Sequence, residues 1–299
     1  MIRAVIDIGS NSIKMRVARV VDGHVHVIRD ETEVVRLSRN MSVTGNLADD
    51  RMSAACDAVT KMAAKAKSIG ADIFIAGTMA LRTALNSDIF LRMVKTATGI
   101  DVHVLSGLEE AKYSWLGASD GLNVSGQAVM FDSGGGSTEF VLADGKEVLR
   151  AVSVPVGAVN LTERFFGKNI GTIRGSVCNE AVSYVAEMIR RDWGDVKAES
   201  VIGVGGGVVA MAGVKNACEN FVPSQLVGTV LTKRDIVRQI GLYSSLTVKE
   251  RENIIGLPAS RADVILGSAC IVLAAFDVLG AEKCRVSING LRHGLLLRF

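Results

Sequence analysis

Val5-Ile6-Asp7-Ile8-Gly9-Ser10-Asn11-Ser12 and Met130-Phe131-Asp132-Ser133-Gly134-Gly135-Gly136-Ser137 are one pattern written twice. In each, an apolar run ends in Asp-x-Gly and passes into small polar residues. The turn signal Asp22-Gly23 that follows the first copy returns as Asp144-Gly145 after the second. An apolar run closed by glycine at 73–77 likewise returns at 201–205. Matching features in the same order, at a shared offset of about 125 residues, argue for two similarly built domains.

Outward from these copies, β-branched runs at 2–6, 14–20 and 24–28 predict strands, the last two joined as a hairpin at Asp22-Gly23. A helix is expected over 50–69, where Met52, Ala55, Val59, Met62 and Ala66 share a face and Gly70 ends it. A strand at 73–76, a helix from Ser87 to before Gly99 and a strand at 102–105 continue a βαβ series. The chain turns polar and glycine-bearing over 119–126, which places a domain junction there. Thr232 with Asp235, and Ser260 with Asp263, have the spacing of helix-capping pairs. The expected fold class is α/β: a first domain over 1–120, with a C-terminal helix at about 290–299 packing back on it, a second over 121–299, and a cleft between them.

Composition narrows the partners. A net charge of +3, with both signs mixed along the chain, leaves no broad footprint for nucleic acid, so a polyanion would need a local pocket. The five cysteines are odd in number, dispersed and without C-x-x-C spacing, as expected of core residues in a reducing compartment. A strand beginning at Ile2 leaves no room for a signal peptide. The longest uncharged apolar stretch, 264–276, is shorter than the roughly 20 residues a membrane span needs. A cytoplasmic, soluble protein is expected.

The repeated Asp-x-Gly also carries chemistry. A glycine after a strand-end carboxylate lets the backbone bend sharply and bring N–H groups close to an anion. Ser10 and Ser12 in the first loop, and Ser137 and Thr138 in the second, add hydroxyls. Facing each other, two such loops would grip a phosphate chain from both sides, with Asp7 and Asp132 recruiting Mg²⁺. A pair of ordinary hairpins is the plainer reading, and the duplication together with the run Gly134-Gly135-Gly136 tells against it. For the third cluster, Gly203-Val204-Gly205-Gly206-Gly207, phosphate or nucleoside contact and close helix–strand packing both stay open. Glu109-Glu110 opens a helix, where acidic residues favour the dipole, and the residues alone do not choose between them as a general base. Lys14 suits either a cationic or a solvent-facing role. The four histidines lack ligand spacing and argue against zinc.

Four blocks carry a resemblance: Asp7-Ile8-Gly9-Ser10-Asn11-Ser12, Gly77-Thr78-Met79-Ala80-Leu81-Arg82, Ser106-Gly107-Leu108-Glu109-Glu110-Ala111 and Asp132-Ser133-Gly134-Gly135-Gly136-Ser137-Thr138-Glu139. With Gly290-Leu291-Arg292-His293-Gly294 near the C-terminus, they resemble the exopolyphosphatase/guanosine-pentaphosphate phosphatase family along essentially the whole chain. The resemblance implies an actin-like fold of two duplicated domains that hydrolyses the terminal phosphoanhydride of polyphosphate or of guanosine pentaphosphate. Carried over by position, Glu110 would be the general base. Asp7, Asp132 and Glu139 would shape the site of Mg²⁺ (or Mn²⁺). Phosphate would meet Ser10, Asn11, Arg82, Gly134, Gly135, Gly136, Ser137 and Thr138; apart from the resemblance, Gly205 and Gly206 are the candidate phosphate contacts in the third cluster, where the packing alternative stays open. A homodimer is expected, without membrane or nucleic-acid partners.

Departures from the family pattern are Ser133, usually apolar, and His293, often acidic. Many members also continue into a further helical domain where this chain stops at Phe299, which bears on long polymers. Competing readings are a kinase of the same fold, a non-catalytic polyphosphate or alarmone sensor, and a filament-forming actin relative.

Overall fold

The computed structural model describes residues 1–122, 124, 126–167, 171–194, 196–198 and 200–299; positions 123 and 125 of the expected junction lie outside the described residues. The chain divides into two compact units, Met1–Gly117 with Leu291–Phe299, and Ala118–Gly290.

In the first unit, β1 (Ile2–Ile8), β2 (Ser12–Val21) and β3 (His24–Val34) form an antiparallel meander. Then come α1 (Met41–Thr44), α2 (Asp49–Ser68), β4 (Asp72–Gly77), α3 (Met79–Thr83), α4 (Ser87–Thr98), β5 (Val102–Val104) and α5 (Gly107–Ser119). The sheet order is β3-β2-β1-β4-β5, with β1, β4 and β5 parallel. β1 is central and buried on both faces from Ala4 to Ile8, which is why it reads as an apolar run interrupted only by Asp7.

The second unit repeats this plan. β6 (Gln127–Ser133), β7 (Thr138–Asp144) and β8 (Glu147–Val154) make the meander. They are followed by α6 (Ala158–Leu161), a π-helix at Thr162–Phe166, α7 (Gly175–Trp193), β9 (Val201–Val204) and α8 (Gly206–Lys215). The rest is β10 (Val230–Thr232), α9 (Lys233–Ser244), α10 (Val248–Arg251), α11 (Ile265–Leu279) and β11 (Lys283–Val286). The order β8-β7-β6-β9-β11-β10 matches the first sheet strand for strand, with β11 in the place of β5 and β10 added antiparallel at the edge.

The apolar stretch near 264–276 becomes α11, buried on nearly every side in the core of this unit. No helix among the described residues is long and apolar enough to cross a membrane. Thr232 and Asp235 form the expected capping box of α9. The pair Ser260 and Asp263 does not cap a helix. A 3₁₀ turn over Ala259–Arg261, entered from Pro258, intervenes, and α11 begins only at Ile265.

The last helix, α12 (Leu291–Arg298), belongs to the first unit. Leu291, Leu295 and Leu296 are buried with Val5, Ala18, Ala76 and Leu105. Gly294 lets the helix approach α5: a Cβ there would fall 1.8 Å from the Tyr113 carbonyl oxygen.

Candidate active site

Two turns of one design close the central strands. Gly9 N–H donates to the Ser12 carbonyl at 3.2 Å, and Gly134 N–H to the Ser137 carbonyl at 3.0 Å. A Cβ on either glycine would stand 3.1 Å from that same acceptor, so both turns are built to the width of glycine.

Residues after the third strand of each meander tie down the carbonyls behind the turn. The Ser10 carbonyl accepts from Ser38 N–H at 3.1 Å, and the Asn11 carbonyl from Arg36 N–H at 2.8 Å and Val35 N–H at 3.1 Å. Their counterparts, the Gly135 and Gly136 carbonyls, accept from Val159 N–H at 2.7 Å and Asn160 Nδ2 at 2.9 Å. The amides of Ser10, Asn11, Gly135 and Gly136 keep no hydrogen-bond partner among the described residues. Each turn is therefore a small concavity of adjacent N–H dipoles, suited to an anion.

The carboxylates stand at the strand ends. Asp7 faces Lys14 across β1 and β2, and Asp132 faces Glu139 across β6 and β7, at equivalent register positions. Asp7 is 8% exposed and its Oδ1 has no hydrogen-bond partner. Burial pushes its pKa up, and the charges of Lys14 and Arg292 pull it back without cancelling the rise. Glu139 Oε1 accepts from Ser153 Oγ at 2.7 Å. Thr138 is fully buried and spends its hydroxyl proton on the Val156 carbonyl at 2.6 Å, which braces the loop from behind.

The first unit also separates the two glutamates that the residues alone left undecided. Glu109 Oε2 accepts from Ser106 N at 2.9 Å and Ser106 Oγ at 2.8 Å, the reciprocal capping pattern of a helix start. The Ser106 backbone bond and then its hydroxyl hold the Glu109 carboxyl below its ordinary range. Glu110, one residue on, is 9% exposed, and its Oε2 accepts from Arg82 Nη1 at 2.7 Å. The same Nη1 donates to the Leu105 carbonyl at 2.7 Å. Arg82 thus orients a nearly buried carboxylate through a charge-assisted bond.

In the third glycine cluster most of the positions are packing contacts. A Cβ on Gly205, at φ +109°, would fall 2.3 Å from the Ser133 carbonyl oxygen, and one on Gly207 2.4 Å from Ser268 Oγ. Gly206 differs: a Cβ there would meet the Arg261 guanidinium at 1.9 Å. The Arg261 guanidinium has no hydrogen-bond partner among the described residues, and burial draws its pKa below the arginine range. A cation laid on a glycine turn offers an anion contact that sequence reading missed.

Among the described residues no three His, Cys, Asp or Glu side chains form a metal cage. Mg²⁺ does not require one: it commonly takes one or two carboxylates and completes its shell with water and phosphate oxygens. The buried, unpartnered oxygen of Asp7 fits such a ligand.

Asn160, Gly157 and Asp30 also escaped the sequence reading. Asp30 Oδ2 accepts from Arg16 Nε at 2.8 Å and Nη2 at 2.5 Å, while Oδ1 accepts from Arg292 Nη1. The one available signal was the spacing Gly157-x-x-Asn160, which is that of a helix cap.

Residues 16–299 match the sequence model described as the Ppx/GppA phosphatase family. The guanosine-5'-triphosphate,3'-diphosphate pyrophosphatase of Photobacterium profundum is 28% identical over 295 residues, 98% of this chain and 58% of that protein. The chain thus spans less than two thirds of that relative's length. A putative exopolyphosphatase of Haemophilus influenzae is 28% identical over 304 residues, 98% of this chain and 90% of that one. Among solved structures, the Aquifex aeolicus PPX-GPPA enzyme superposes with a TM-score of 0.83 at 28% identity, covering 100% of this chain and 99% of that one.

Proposed function

Because this chain belongs to the Ppx/GppA phosphatase family, we propose that it hydrolyses the terminal phosphoanhydride of inorganic polyphosphate or of the 5'-triphosphate of guanosine pentaphosphate. One observation carries the reading: paired, unpartnered amides at Ser10–Asn11 and Gly135–Gly136, in a chain whose Glu110 is held by Arg82.

In this account the turn amides donate to the non-bridging oxygens of the phosphate chain, and the orientation of Glu110 aims a carboxylate at a water molecule. Glu110 takes a proton as the water oxygen attacks the terminal phosphorus. The bond from phosphorus to the bridging oxygen breaks, and the shortened chain leaves with that oxygen. Such reactions are driven mainly by positioning and electrostatics. Asp7, Asp132 and Glu139 are the residues that would hold Mg²⁺ (Mn²⁺ serving in its place), which supplies charge neutralisation at the phosphoryl oxygens. Arg261 beside Gly206 adds a cationic contact. We place the protein in the cytoplasm and take it to act as a homodimer.

The test is phosphate release from tripolyphosphate, long polyphosphate, guanosine pentaphosphate and ATP, side by side with Mg²⁺. Release from one of the first three, with ATP slower, supports the reading. Binding without release from all four would favour a sensor instead.

A further inference from the structure

The two anion-binding turns are braced differently, and the difference singles out one side chain. In the first turn each carbonyl, that of Ser10 and that of Asn11, is held by backbone amides, donated by Ser38, Arg36 and Val35, and the Ser38 hydroxyl adds only a longer bond of 3.4 Å to the Ser10 carbonyl. In the second, backbone amides of Ala158 and Val159 hold the carbonyls of Gly134 and Gly135, but the third carbonyl, that of Gly136, is held by Asn160 Nδ2 at 2.9 Å. Asn160 is itself fixed, because its Oδ1 accepts from Gly157 N–H at 2.8 Å. Gly157 sits against the loop so closely that a Cβ would stand 2.4 Å from both Gly135 C and Gly136 N. Thus the Gly136 carbonyl is held by a side chain where its neighbours are held by backbone amides, and that bond acts on the peptide between Gly136 and Ser137, beside the unpartnered amides of Gly135 and Gly136.

We propose that Asn160 is a positioning residue of the second phosphate loop: its amide pins the Gly136 carbonyl and so keeps the neighbouring N–H groups turned toward an anion. A glycine triplet needs such a restraint, because glycine has the largest conformational freedom to lose and populates both halves of φ space. The side-chain amide is specifically suited to the task, since it accepts from Gly157 and donates to Gly136 at once. The inference rests on the phosphohydrolase reading for its consequence and on the hydrogen bonds for its mechanism.

Asn160→Asp separates the two bonds. Aspartate keeps the acceptor for Gly157 N–H, at a helix position that favours an acidic side chain, but it cannot donate to Gly136. Asn160→Ala loses both bonds without adding charge. Hydrogen exchange read by mass spectrometry on the ligand-free protein should show amides of 133–140 exchanging about tenfold faster in both variants, the size expected when a carbonyl loses its donor. Amides of 127–132 should be unchanged, and Asn160→Asp should melt within a few degrees of the parent. KM for tripolyphosphate should rise about tenfold in both variants with kcat within about twofold, since the base is untouched.

Exchange of 133–140 at the parental rate in Asn160→Asp would overturn the proposal. If the parent releases no phosphate from any substrate, the hydrolase reading falls alone, because the exchange measurement decides the clamp without turnover.

Discussion

Arg82 Nη1 lies 2.7 Å from Glu110 Oε2 and 2.7 Å from the Leu105 carbonyl oxygen, so one nitrogen fastens the candidate base to the end of β5. The Glu110 side chain is 11% exposed and that of Arg82 19%. Removing one partner leaves the other charge poorly solvated. Arg82→Ala should therefore destabilise the fold by about 2 kcal/mol in urea unfolding. The double variant with Glu110→Ala should lose clearly less than the sum of the two single losses. Strict additivity would mean that the pair is not an energetic unit.

A second prediction concerns pH and the last helix. Burial would raise the pKa of Asp30, but the charges and hydrogen bonds of Arg292 and Arg16 outweigh it, and the net shift is downward. A carboxyl depressed in the folded state contributes stability that is fully present above the unfolded value of about 3.9 and is lost as pH falls through the folded one. Asp30→Asn should cost about 1–2 kcal/mol at pH 7, discounted because the carboxylate is 34% exposed. The difference from the parent should shrink on acidification below about pH 4. A gap of constant size from pH 7 to pH 3 would contradict the ionic account.

Gly205→Ala tests the packing role of the third glycine cluster. The backbone there is at φ +109°, and a Cβ would run into the Ser133 carbonyl oxygen at 2.3 Å. A loss of about 3 kcal/mol or more is expected in urea unfolding. Gly121→Ala, at φ +78° with open space around it, should lose only about 1 kcal/mol. Equal losses would mean that the contact with Ser133 carries no weight.

The metal role is tested by removal. Excess chelator should abolish phosphate release, and Mg²⁺ or Mn²⁺ should restore it. Asp132→Asn should raise the Mg²⁺ concentration needed for half-maximal rate by about tenfold, the cost of exchanging a carboxylate for an amide ligand being of order 1–2 kcal/mol. Undiminished activity in chelator would remove the cation from the account.

Much of this architecture was legible because strand-end features repeat in order. Asp7-x-Gly9 and Asp132-x-Gly134 mark the two central strands, whose buried middles are apolar up to the carboxylate. The return of α12 to the first unit was expected, and Leu291, Leu295 and Leu296 supply the apolar face that docks it. What stayed hidden depends on contacts between distant residues. The bond from Asn160 to Gly136 spans 24 positions, and its partner is a carbonyl that leaves no mark in the sequence. Glu109 and Glu110 look alike in sequence, yet they sit about 100° apart around a helix, so one caps and the other meets Arg82. Ser260 and Asp263 had the right spacing for a cap, but the 3₁₀ turn following Pro258 moved the helix start.

The most direct test of the account is single-turnover and steady-state phosphate release by Glu110→Gln, with tripolyphosphate binding measured on the same sample. Glutamine keeps the shape and the acceptor for Arg82 but cannot take a proton from water. Turnover should fall by about 10²–10⁴-fold, with binding within a few-fold of the parent, while Glu109→Gln should remain near parental activity. Turnover in Glu110→Gln close to that of the parent would contradict the assignment of Glu110 as the base.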